Sequence, residues 1–93
     1  MTFTYPAVFR RKEDGTYEGF FPDLQGCVAK GETLDECIND AIEAERTWLW
    51  IELTEEEDTD LPFISDQDDL VLQEGDIVRN IEVILHLQEG NFD

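Results

Sequence analysis

Carboxylates dominate the chemistry available to this chain: 24 Asp and Glu stand against six Lys and Arg and one histidine, a formal charge of -18 on 93 residues. Carboxylates do two kinds of work, holding divalent metals for hydrolysis and pairing with the Lys and Arg of another molecule. Hydrolysis needs acids converging from several strands, and the strands offer only Glu18 and Glu82 as inward-facing candidates. His86 stands between Leu85 and Leu87 with no evident group to orient it as a general base. Cys27 and Cys37 are too few for a zinc site, which wants about four ligands in close pairs, and read as reduced packing residues. No serine has a nucleophile-elbow context, and Gly15, Gly19, Gly26 and Gly31 fall in separate turns instead of one phosphate-cradling loop. The sequence therefore predicts no catalytic residue, metal or cofactor.

The second kind of work has a better address. On a wheel of ~100° per residue, Glu36, Asn39, Glu43, Thr47 and Trp50 form one helical stripe flanked by Asp40. Acids beside an outward indole suit the face of a basic protein, the indole as anchor and the acids as charge complement. Glu36, Asp40, Glu43, Thr47 and Trp50 are accordingly the expected partner-binding residues. The opposite stripe, Leu34, Cys37, Ile38, Ala41, Trp48 and Leu49, is expected to face a core, although Glu45 and Glu52 fall near its middle and suggest that the second half rides over a sheet edge. The net charge repels phosphate, which speaks against direct nucleic-acid binding.

These residues need a scaffold. Alternation of Tyr5, Ala7 and Phe9 with Pro6, Val8 and Arg10 predicts a strand over about 3–10. Asp14-Gly15 turns the chain into a second strand, about 16–21, and Gly26 bends it into a short third, about 26–30. Phe21 and Leu24 are expected to fill the core while Pro22 and Gly26 shape the turn between these strands. Thr33 with Glu36 three residues on makes a capping box, opening a helix over about 33–53. Ten acids and no Lys or Arg lie between Glu55 and Asp76, so residues 54–75 read as a solvated acidic loop that Leu61, Phe63 and Ile64 pin locally. A last strand, about 76–87, follows, and residues 91–93 read as a frayed tail. The result is one α+β domain over 1–93, with a helix packed on a mainly antiparallel sheet. A sheet covered by a single helix leaves a face or an edge open, which predicts a homodimer or higher oligomer. No stretch approaches the ~20 apolar residues of a membrane span, and no signal peptide is visible, so a cytoplasmic location is expected.

Four motifs in register, Tyr5-Pro6-Ala7-Val8-Phe9, Asp14-Gly15, Phe21-Pro22-Asp23-Leu24-Gln25-Gly26-Cys27 and Gly31-Glu32-Thr33-Leu34-Asp35-Glu36-Cys37, resemble the HicB antitoxin family. The similarity covers about residues 3–53 and weakly includes the last strand. It implies a partial RNase H-like fold and an antitoxin that neutralises HicA, a small basic mRNA-cleaving toxin folded like a double-stranded-RNA-binding domain, by masking its RNA-binding or catalytic surface. Glu45 departs from the family, which usually carries an apolar residue there, and Cys37 stands where alanine is usual. Many relatives append a helix-turn-helix or ribbon-helix-helix segment; only six residues follow Leu87 here, so DNA binding by this chain alone is not expected. Two other readings stay open: a metal-dependent nuclease on an RNase H-like scaffold, and an acidic nucleic-acid mimic that inhibits some other basic protein.

Overall fold

A computed structural model describes residues 1–55 and 61–85. The chain forms β1 (Thr2–Arg11), β2 (Tyr17–Phe20), β3 (Val28–Gly31), one long helix α1 (Leu34–Glu55), a single 3-10 turn (Gln67–Asp69) and β4 (Ile77–Ile84). All neighbours pair antiparallel in the order β3-β2-β1-β4, so the last strand joins the free side of the first. The expected α+β arrangement is what the chain adopts. Strand β3 starts later than expected because Phe21–Cys27 is closed by its own backbone bonds, Phe21 N–H to Cys27 O at 3.1 Å and Cys27 N–H to Leu24 O at 3.0 Å. That loop buries Phe21, Leu24 and Cys27. The expected tail and His86 lie outside the described residues.

Local chemistry explains the turns. Asp14 accepts from the N–H and the hydroxyl of Thr16, at 2.9 and 2.6 Å, which closes the β1–β2 hairpin around Gly15 at φ +90. At the start of α1, Thr33 Oγ1 accepts the Glu36 N–H at 3.1 Å. The Glu36 carboxylate reaches back to the Glu32 N–H at 3.2 Å, so the capping box forms one residue wider than its usual pattern.

The register sorts the sheet into two faces. Tyr5, Ala7, Phe9, Gly19, Ala29, Ile81 and Val83 share the face that α1 covers, and against them the helix sets Cys37, Ala41, Glu45 and Leu49, a four-residue repeat in which every member is 0% exposed. The small residues of that row sit where the helix must approach closely. A side chain on Gly31 would run into Cys37 N, and one on Gly19 would meet the Phe9 ring at 2.9 Å.

On the far face, Pro6 and Val8, which alternate with Tyr5, Ala7 and Phe9, are buried as well. Val28, Phe20, Val8 and Val78 make an apolar row across the four strands, followed by Lys30, Glu18 and Arg10 in register. Arg10 lies 5.6 Å from the Phe20 ring centroid and makes two 2.9 Å bonds to Asp76, which hold that carboxyl below the usual carboxylate range.

The acidic connection is likewise held down. Tyr5 Oη donates to Pro62 O at 2.8 Å, Ser65 donates its N–H to Asp23 at 2.7 Å, and Leu61 packs on the core. Phe63 and Ile64, expected to pin this segment, instead stand out in solvent. Polar bonds do the fixing.

Candidate functional site

Burying Cys37, Ala41, Glu45 and Leu49 turns the opposite side of α1 outward, and Glu36, Asp40, Glu43, Thr47 and Trp50 are all exposed. Asp40, Glu43 and Trp50 each make a local contact. Asp40 accepts the Lys30 N–H at 3.0 Å, capping a backbone donor at the outer edge of β3. Glu43 pairs with Arg46, the only base of the helix, and both remain largely in solvent. Trp50 is 40% exposed, and its backbone carbonyl accepts from the Thr54 hydroxyl at 2.6 Å.

Three of the five meet in one feature. A groove of about 390 Å³ runs between Gly26–Val28 and the helix, where Asp40, Glu43 and Thr47 share its wall with Ala44, Trp48 and Ile51. Glu36 lies apart, in a cleft of about 540 Å³ with Lys12 and Lys30, and Trp50 lines neither. The apolar contributors, Val28 at 64% exposure and Ile51 at 44%, were not expected from the sequence. Ile51 follows Thr47 by one helical turn and was legible on the wheel; Val28 was not, because only the docking of α1 on β3 brings it alongside. Trp48, expected in the core, is half-buried at its rim, and its indole N–H donates to Gln25 O at 2.9 Å. It therefore joins the Phe21–Cys27 loop to the helix.

The interior holds a second surprise. Glu45 does not lift the helix over a sheet edge; it is 0% exposed beneath it, and neither carboxylate oxygen has a hydrogen-bond partner among the described residues. Burial pushes its pKa up to about 8, far above an ordinary carboxylate. Burial, with Glu45 adding to it, pushes the Cys27 thiol to about 11. Both cysteines are free and buried, and a thiol held protonated is a packing group, not a nucleophile.

The acids considered for hydrolysis do not converge. Glu18 stands between Lys30 and Arg10 on the far face, Glu82 is exposed opposite Thr4, and among the described residues no three of His, Cys, Asp and Glu gather on one point. No helix among the described residues is long and apolar enough to cross a membrane.

Comparison with known proteins agrees with this architecture. A family model described as HicB-like antitoxin of bacterial toxin-antitoxin system matches residues 5–89. UPF0150 protein ssr1765 of Synechocystis is 36% identical over 42 residues, a match spanning 45% of this chain and 53% of that protein. The chain thus spans about half of that curated relative. The N-terminal domain of Burkholderia pseudomallei antitoxin HicB superposes with a TM-score of 0.76 at 23% identity, over 89% of this chain and 100% of that one, and establishes likeness of fold. A toxin-antitoxin complex from Streptococcus pneumoniae gives 0.65 at 26% identity, over 100% of this chain and 79% of that one.

Proposed function

Because the chain belongs to the HicB-like antitoxin family of bacterial toxin-antitoxin systems, we propose that it acts without catalysis, binding a small basic HicA-type mRNA-cleaving toxin and masking that protein's RNA-binding or catalytic surface. The observation that carries the proposal is the groove beside α1: Asp40 and Glu43 offer charge, while Val28, Ile51 and Trp48 offer apolar area next to it. A ribonuclease must present Lys and Arg to phosphate, and a surface of this composition competes for the same cations. The -18 charge adds long-range attraction, screened over ~8 Å at physiological salt. The cytoplasm, where mRNA is found, is the location this reading assigns. Pairing of two copies through the open outer edge of β4 belongs to the same proposal.

The outward face is tested by two substitutions that leave the buried row intact. Trp50→Ala is expected to weaken binding of a HicA-type basic toxin by about 2 kcal/mol, the loss of a typical hot spot. Glu43→Lys is expected to weaken it further by setting like charges together. Both should melt close to the unsubstituted protein, and calorimetric titration beside a thermal melt reads both quantities. Unchanged affinity in both variants would place the interface elsewhere.

A further inference from the structure

The connection over residues 61–76 is organised for display. It carries five acids and no Lys or Arg. Three side-chain attachments fix its course: Tyr5 to Pro62 O, Ser65 to Asp23 through both N–H and hydroxyl, and Arg10 to Asp76, which also accepts the Gln73 N–H at 2.8 Å. Yet three bulky apolar residues between the attachments turn away from the protein, while Leu70 stays half-buried: Phe63 is 95% exposed, Ile64 60% and Val71 96%. A loose acidic linker would have no need of them, and a segment that only sealed the sheet would bury them. Beside Ile64, a cavity of about 430 Å³ opens between Thr4 and Asn80 of the far face and the Asp66–Asp68 turn. Two carboxylates at such an opening suit one Lys or Arg side chain.

We propose that this pinned connection is a second docking surface for a basic protein, with Phe63 and Val71 as apolar contacts and the cavity at Asp66 and Asp68 receiving a Lys or Arg side chain. The occupant follows from charge. A second copy of the chain would set five more acids against these five, and a nucleic acid would bring phosphate, whereas a basic surface neutralises them while covering the apolar side chains. Ordering has already been met by the three attachments, so little conformational freedom remains to be lost on binding. The inference rests on the reading that the partner is a basic protein, and adds a contact on the sheet face that α1 does not cover.

The test titrates a HicA-type basic toxin into the full chain, into Phe63→Ser/Val71→Ser, into Asp66→Asn/Asp68→Lys and into the helix variant Glu43→Lys, with melting temperature and light scattering on each. Both connection variants are expected to bind about tenfold or more weakly while melting and mass stay as in the unsubstituted protein. Unweakened binding by the connection variants, with Glu43→Lys impaired, would overturn this inference and leave the helix reading standing. A lowered melting temperature would show that Phe63 and Val71 pack within the chain, and a dimer broken by their loss would make a second copy the occupant; either overturns the proposal. No binding by the unsubstituted chain would overturn both readings together.

Discussion

Replacing Gly31 by alanine is expected to unfold this protein or bring it close to unfolding. The added methyl would run into Cys37 N and lie 2.8 Å from Glu36 C and 2.9 Å from Cys37 Cα, all backbone atoms of the first turns of α1. A clash with a flexible side chain is relieved by a rotamer change, but this one requires β3 and α1 to separate. Overpacking ordinarily costs about 1–3 kcal/mol, and a backbone clash belongs at or above the top of that range. The total margin of such a domain is only about 5–10 kcal/mol. Gly26→Ala is the control. It has the strained φ of +81 but nothing within 4 Å of the added carbon, and should cost only about 1–2 kcal/mol. Urea midpoints of the two variants check the contrast, and equal midpoints would mean that the Gly31 contact can relax.

The second large effect has the opposite sign: Glu45→Leu is expected to stabilise the fold. Unfolded, Glu45 releases its proton near the ordinary carboxyl value of 4.5; folded, it holds that proton up to about 8. Between those values the native state binds more protons than the unfolded state, so stability falls as pH rises from about 4.5 to about 8 and is level beyond. At ~1.4 kcal/mol per unit, about 3 kcal/mol is gone by pH 7. Leucine removes the titration and the two unpartnered oxygens together, and should raise the melting temperature by about 10–20 °C at pH 8, with a smaller gain at pH 5. Glu45→Gln should flatten the pH dependence while keeping a buried polar group. Melts across this range decide the matter: a wild-type stability that rises from pH 5 to pH 8 would show that Glu45 is ionised and partnered in the folded protein.

The contrast between these two residues shows what the sequence made legible. Thr33 and Glu36 announced the start of α1, and the apolar phase of Ile77, Ile81, Val83 and Leu85 announced β4, because both are periodic, local signals. The exposed stripe was readable for the same reason, since a helix that buries Cys37, Ala41 and Leu49 must turn Glu43 and Trp50 outward. Glu45 was misread because a periodicity scale treats every carboxyl as charged, whereas burial keeps this one protonated and lets it pack. Phe63 and Ile64 were misread in the other direction. Hydrophobicity suggested pins, but Tyr5, Asp23 and Arg10 hold the connection from more than 40 residues away in sequence, which no local pattern reports. The groove wall at Val28 belongs to the same class, since it exists only once β3 and α1 have met.

The measurement that bears most directly on the proposed role is inhibition of RNA cleavage. A HicA-type basic toxin would be assayed on mRNA with increasing amounts of this chain, and with the chain alone as control. Cleavage is expected to fall to background near the equivalence point set by the stoichiometry of the complex, with Glu43→Lys shifting the curve to higher concentration and the chain alone leaving RNA intact. Undiminished cleavage at a large excess of the chain, or magnesium-dependent cleavage by the chain itself, would contradict the account.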